Sequence, residues 1–592
     1  MGQTHTVSFV APLFWPHRGN RRSTQTRTQW AALAGLLLVC FVVPPVGAVE
    51  RHRLGDGPQS EFAELWLVDR TLPDLYEVLA EIVGPDGFEP IVLTDPAGDR
   101  ADTLNHLLEI VPNGVVHWVS RDPVPAGLSV DLVVSPDIVL ETPAAASTVY
   151  CRDPELMPFA ALVAMRTGRR LSRHLPQILR PGDLGVGDGP LRPGCAGARE
   201  CPQLQSVGDC LRFLNARATR QAVLVFAVGS MRPEYVLYAL QRGVLLLEVA
   251  PPPYSGEDPQ SEVDATVETA AQIRSGVAAI PELGGAHPEA LVVAGDWTEI
   301  PYRFAREADF GWIPCEQCDN GIRTFSSDVE YGNLDGDSWG EPEVATGRLM
   351  SYETDLLALQ SVLGVWRDRG AFAPAARAVF LGVYANGLRD RVLQAWREDF
   401  PDRQWELVGP QNQDEDNVFD FEVNDFLDAV DASDVVLFDG HGSPNGLYDA
   451  RRLLDGEILA STADSASPAF WFVTACATGR YLPETVGGAS PQGNGNLVSG
   501  LQARLVVGGW LTVEVIASPS ANLVWPGMAA ERPLPVGEIV RRGMATAISA
   551  YRGDADSVDI PPLLPRRTGQ DQLDRANAWA TSFWLGDPLT EL

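Results

Sequence analysis

Val435-Val436-Leu437-Phe438-Asp439-Gly440-His441-Gly442-Ser443 runs four apolar residues into a histidine bracketed by glycines, and Ala469-Phe470-Trp471-Phe472-Val473-Thr474-Ala475-Cys476 is a second apolar run ending at a cysteine. Short continuous apolar runs bounded by glycine and polar residues are what strands look like when both faces of a parallel sheet are covered. Such sheets carry their functional groups just past the carboxyl ends of the strands. Here those groups are an imidazole and a thiol. The expected fold class is therefore α/β, with parallel sheets flanked by helices.

An imidazole that meets a thiol supports nucleophilic catalysis: His441 keeps Cys476 ionised or takes its proton, and the thiolate attacks a carbonyl. Glycines at 440 and 442 let the backbone approach a substrate, and the amides of Gly442 and Cys476 form a candidate oxyanion hole. The alternative is a core cysteine and a loop histidine that never meet, since free cysteine is among the most buried residue types.

The wider pattern resembles the gingipain family of cysteine peptidases, which have a caspase-like fold. The resemblance rests on Gly440 to Ser443, on Ala475-Cys476-x-x-Gly479 with its cysteine 35 positions after the histidine, and on upstream blocks. Those blocks are Leu291 to Pro301, Ser327 to Gly332, Asn333 to Asp337 and Gly347-Arg348-Leu349, and Leu585-Gly586-Asp587-Pro588 closes the series. It implies a two-part catalytic unit over residues 220–592, with a first, smaller sheet from Ala222 and a main sheet from Val379. It also implies hydrolysis of peptide bonds in protein or peptide substrates through a thioester, with Cys476 as nucleophile and His441 as base or proton donor. Gingipains orient the histidine with an acidic residue near the end of the preceding strand. The matching stretch, Gly382 to Gly387, has no carboxylate, and Asn386 stands as the candidate in its place. Gingipains also select a basic side chain with an acid early in the next helix; Asp390 is the candidate here, an ordinary surface acid near a helix N-terminus being the other reading. Some members of the family transfer the cleaved chain to an amine during surface attachment, which the same dyad would serve. A surface protein with a vestigial peptidase fold is the third reading.

The chain of 592 residues is too long for one core. Its formal net charge of −33 argues against nucleic acid as a partner, because phosphates would be repelled. Residues 1–48 read as a bacterial export signal: a segment with Arg18, Arg21, Arg22 and Arg27, an apolar run from Trp30 to Val43, then the small residues Val46-Gly47-Ala48. That run is short for a membrane span, so the mature protein is expected to be secreted, periplasmic or at the cell surface without stable membrane insertion. An uncleaved anchor is the alternative.

Residues 60–140 alternate strand and helix and read as a smaller, non-catalytic α/β domain. It resembles a domain found near the N-termini of large bacterial surface proteins. Val115 to Pro123 faintly repeats Val435 to Pro444, with Ser120-Arg121-Asp122 where the histidine would stand. Residues 141–218 break the rhythm: proline and glycine cluster between Arg180 and Pro190, and Cys151, Cys195, Cys201 and Cys210 fall here, which reads as an irregular, cysteine-containing linker. Without Cys40 of the signal, seven cysteines remain, so that six are available to pair while Cys476 stays free. Cys315-Glu316-Gln317-Cys318 suits a local disulfide, a redox pair or half a zinc site. Asn333 to Glu341 is an oxygen-rich turn, either an ordinary one or a structural calcium site with Asp335, Asp337 and Glu341 as ligands. The dyad itself requires no cofactor.

Overall fold

A computed structural model describes residues 64–592 except 84–89, 99–100, 112–114, 141–146, 175–181, 188–202, 255–257, 306–323, 337–341, 352, 372–375, 383–386, 410–422, 449–452, 463–465, 476–477, 480–495, 513–533 and 553–581. The first part is α/β, as its alternating pattern predicts: β1 (Glu64–Asp69), α1 (Leu75–Val83), β2 (Ile91–Thr94), α2 (Ala101–Ile110), β3 (Val115–Val119), β4 (Leu132–Val134) and α3 (Pro136–Leu140). Its strands form a parallel sheet in the order β2-β1-β3-β4.

The stretch expected to be irregular contains regular elements among its described residues. It contains β5 (Thr148–Cys151), α4 (Met157–Arg166), β6 (Arg170–Ser172), β7 (Leu184–Val186), β8 (Gln203–Leu204) and α5 (Val207–Asn215), with a second parallel sheet ordered β6-β5-β7-β8. Two features hid it. The strands have two to four residues, too few to show a period, and α4 is apolar nearly all round because it is buried nearly all round. A capping box starts α5, in which Ser206 Oγ accepts from the Asp209 amide while the Asp209 carboxylate accepts from the Ser206 amide. Cys151 and Cys210 are buried free thiols, and burial pushes them up to about 11 and about 12.

The rest builds on β9 (Val223–Ala227), α6 (Pro233–Arg242), β10 (Leu245–Val249), α7 (Pro259–Ala278), β11 (Ala290–Ala294), β12 (Arg303–Ala305), β13 (Thr324–Ser326), β14 (Ala345–Leu349) and α8 (Thr354–Asp368). It continues with β15 (Arg377–Gly382), α9 (Gly387–Asp399), β16 (Gln404–Val408), α10 (Val423–Asp431), β17 (Val435–Asp439), β18 (His441–Ser443), β19 (Gly446–Tyr448), β20 (Leu453–Asp455) and α11 (Gly456–Ser461). It ends with β21 (Ala469–Thr474), α12 (Leu497–Ala503), β22 (Val506–Thr512), α13 (Val536–Arg552) and β23 (Ser582–Gly586). Instead of a smaller sheet and a separate main one, ten strands form a single sheet ordered β10-β9-β11-β14-β23-β22-β21-β17-β15-β16. Every neighbouring pair is parallel except β22 with β23. The last strand joins the halves: β23 lies antiparallel to β22 on one side and meets β14 at Arg348 and Leu585 on the other.

That junction is held by charge. Asp587, just past β23, accepts from the Tyr238 hydroxyl at 2.8 Å and from the Arg242 guanidinium, which also donates to Asp368 at 2.5 Å. Arg348 on β14 is fully buried and pairs with Asp328 through two bonds of 2.9 and 2.6 Å. Gly586 has φ +108°, and a Cβ there would stand 2.8 Å from the Val507 carbonyl, so this exit from β23 excludes a side chain.

Burial of alternate residues on opposite faces explains the uninterrupted apolar runs. In β17, Val435 and Leu437 enter the larger core, shared with α8 and α9, whereas Val436 and Phe438 face α10 and α12. At the start of the strand Asp434 is clamped by Arg367 at 3.1 Å and by Arg403 through two bonds of 2.9 Å. The N-terminal part packs on the same side as α8: the Asp95 amide donates to Asp355 at 2.8 Å, and Arg70 lies 3.2 Å from the buried Glu234. Among the described residues no helix is long and apolar enough to cross a membrane.

Candidate functional site

The sheet register brings the two expected loops to the same place. Strands β17 and β21 are adjacent and parallel, with Asp439 opposite Thr474, and the Gly440 amide donates to the Thr474 carbonyl at 3.1 Å. His441 lies two residues beyond Asp439, and Cys476 lies two residues beyond Thr474. Neighbouring strands are about 4.8 Å apart, so the chain leaves toward the histidine and toward the cysteine from adjoining points on the carboxyl edge. Cys476 itself lies outside the described residues. Ala475 before it and Thr478 and Gly479 after it are buried.

At Gly440 the chain bends out of the large sheet into β18, which forms a small antiparallel sheet ordered β18-β19-β20. Ser443 pairs with Gly446 across a two-residue turn, Gly442 with Leu447 and His441 with Tyr448. In such a hairpin the pair that closes the turn exchanges both hydrogen bonds, and hydrogen-bonded and open pairs then alternate. The amide of Gly442, in the open pair, therefore points away from β19. A donor aimed outward beside the histidine suits an oxyanion. His441 is exposed, Gly442 is buried and Ser443 is half-buried. Behind the hairpin, α11 and α12 pack so tightly that a Cβ on Gly500 would stand 2.5 Å from the Gly456 Cα.

Of the other expected residues, Asn386 lies outside the described residues. Asp390 sits in the first turn of α9 and is exposed. Asp335 is exposed in its turn, with the amides of Leu334 and Gly336 donating to Glu343 at 2.6 Å and to Asn333 at 3.0 Å. Asp337 and Glu341 lie outside the described residues, as do Cys195, Cys201, Cys315 and Cys318. Among the described residues no three His, Cys, Asp or Glu side chains converge in a way that would hold a metal ion.

One acid at this edge had no role in the sequence reading. Asp439, the last residue of β17, is buried, and burial pushes its carboxyl up to about 7. The signal was available: a carboxylate ends an otherwise apolar strand two residues before the histidine.

The structure is similar to that of an Arg-specific cysteine proteinase, gingipain R, at 13% identity and a TM-score of 0.41, over 63% of this chain and 78% of that one. It is also similar to a structure described as a protease, at 12% identity and a TM-score of 0.42, over 62% of this chain and 78% of that one. No protein-family model and no curated protein matches the chain. Likeness at this level leaves the chemistry to be argued from the chain's own residues.

Proposed function

We propose that the protein is an exported cysteine endopeptidase of caspase-like architecture, with Cys476 as nucleophile and His441 as its proton partner. The observation that carries this reading is the register of Asp439 with Thr474 on the adjacent strands β17 and β21, with His441 and Cys476 each two residues further along the sequence. The outward amide of Gly442 supports it as the oxyanion donor, together with the amide of Cys476. The Cys476 thiol passes its proton to His441, and the thiolate attacks the peptide carbonyl. Collapse of the tetrahedral adduct returns that proton to the departing amine and leaves a thioester. Water, deprotonated by His441, then cleaves the thioester to the free acid and restores the thiol. None of these steps requires a cofactor. Export, cleavage of residues 1–48 and a secreted, periplasmic or surface location belong to the same reading.

Replacing the dyad tests it on the mature chain with a mixed peptide library. Cys476→Ala should abolish turnover, and His441→Ala should lower it by about a hundredfold or more, the scale general-base groups contribute. Normal peptidase activity in Cys476→Ala would overturn the assignment.

A further inference from the structure

Large apolar side chains standing in solvent gather at one edge of the N-terminal sheet: Val115 at the start of β3 is 45% exposed, Leu132 and Val133 on β4 are 49% and 57% exposed, and Ile138 on α3 is 64% exposed. Among the described residues β4 pairs with β3 on one side and with no strand on the other. Its outer backbone groups therefore form an open template for another strand. Leu132 and Val133 point to opposite faces of the pleat, so neither face is covered where the sheet stops.

Edge strands of globular proteins are ordinarily guarded by a charge, a proline or a covering element. On the far side of the same sheet β2 is buried at every position, and β16 at the end of the large sheet carries the exposed Glu406 at its centre. Leu132 to Val134 has neither a charge nor a proline. The nearest acids are tied back into their own chain. The Asp131 amide donates to the Val116 carbonyl at 3.0 Å, its carboxylate accepts from the Val116 amide at 2.8 Å, and Asp137 accepts from Arg121 at 3.1 Å.

We infer that β4 is a self-association edge, at which two copies of this chain pair antiparallel about a twofold axis through Val133. In that register Val133 meets Val133 of the second copy on one face, Leu132 meets Val134 on the other, and Asp131 meets Ser135. Apolar residues then face apolar ones, and no acid stands opposite an acid. A centre on Leu132 would instead set Asp131 against Val133. The pairing joins two four-stranded sheets into one and asks nothing of the dyad. A three-residue edge makes a weak, concentration-dependent dimer rather than an obligate one. The net charge of −33 on each chain opposes the contact, so salt promotes it.

Sedimentation equilibrium of the mature chain tests it, over about 1 to about 100 µM and at about 0.05 and about 0.5 M salt. Wild type should move from one chain toward two as concentration rises, and further at the higher salt. Val133→Lys sets two like charges at the axis and should weaken the dimer by about tenfold or more, and Val133→Glu should do the same. Because Val133 is exposed, both variants should melt with wild type. An equimolar mixture of the two variants should recover the dimer as a one-to-one pair, since an ammonium then faces a carboxylate. A wild type that stays monomeric under every condition overturns the inference. So does a dimer that either substitution leaves unchanged, or a mixture no more associated than its separate components. These outcomes are independent of Cys476 and His441, so failure here leaves the peptidase reading standing.

Discussion

Asp69 and Asp439 each end an inner strand of a parallel sheet, β1 in one case and β17 in the other, yet their surroundings are opposite. Asp69 accepts from the Thr71 amide at 2.8 Å, the Thr71 hydroxyl at 2.7 Å and the Ser120 hydroxyl at 2.5 Å. Next to it Arg121 spans Asp74 with bonds of 3.0 and 2.9 Å and also reaches Asp137. The carboxyl edge of the N-terminal sheet is thus closed by its own polar groups. At the matching edge of the large sheet the acid is buried with no such donors among the described residues, and the next residues are Gly440, His441 and Gly442. The same strand-end geometry serves as a structural knot when its charges are satisfied locally and as a candidate reactive site when they are not. The faintly alike stretches Val115 to Pro123 and Val435 to Pro444 both carry a parallel strand, but β3 is buried only from His117 to Val119 whereas β17 is buried throughout.

Four variants sharpen or break the comparison. The largest effect is expected at the other end of β17. Asp434→Ala strands Arg367 and Arg403 without their shared carboxylate, and removing one member of a buried ion pair costs about 3–5 kcal/mol. A denaturant midpoint close to wild type would mean that this end of the strand is not the anchor described. Next, Asp69→Ala should cost about 2 kcal/mol by removing a charged acceptor from three donors, while any peptidase activity stays within about twofold of wild type. A parallel loss of activity would show that the two edges are functionally joined.

Asp439→Asn should act in the opposite sense on stability. The folded carboxyl near 7 lies above its unfolded value of about 4, so the folded state binds more protons between those limits. Stability is then lost as pH rises from about 4 to about 7, and the penalty is complete above that. The Asn variant escapes it, and its stability relative to wild type should rise by up to about 4 kcal/mol between pH 4 and pH 8, about three pH units at about 1.4 kcal/mol each. A pH-independent difference would mean that Asp439 is paired. The smallest effect belongs to Arg121→Ala: an exposed ion pair contributes under about 1 kcal/mol, so melting should barely move.

The sequence shows much of the fold where burial is complete. Strands such as β9, β11, β17 and β21 are buried at every position, so their apolar runs mark their existence and nearly their ends. The ends of β17 and β21, just before His441 and Cys476, are legible for the same reason, because glycine and polar residues interrupt those runs abruptly. Local pattern could not reveal the insertion of β23 beside β14, a pairing of residues more than two hundred positions apart. It also misread residues 141–218, where very short strands lie among prolines and glycines and the regular elements have no clean amphipathic period. Asp390 drew attention as an acid early in a helix and is exposed, whereas Asp439 at the end of β17 is buried. Burial of a single carboxyl depends on what the neighbouring strand places beside it, here Gly382, and no window of sequence around 439 contains that residue.

The most direct test of the central claim uses an electrophilic peptide probe on the mature protein, with the modified residue mapped by mass spectrometry. The account predicts a single adduct on Cys476, formed rapidly in wild type and at least about a hundredfold more slowly in His441→Ala. An unmodified Cys476, or labelling that His441→Ala leaves unchanged, would contradict it.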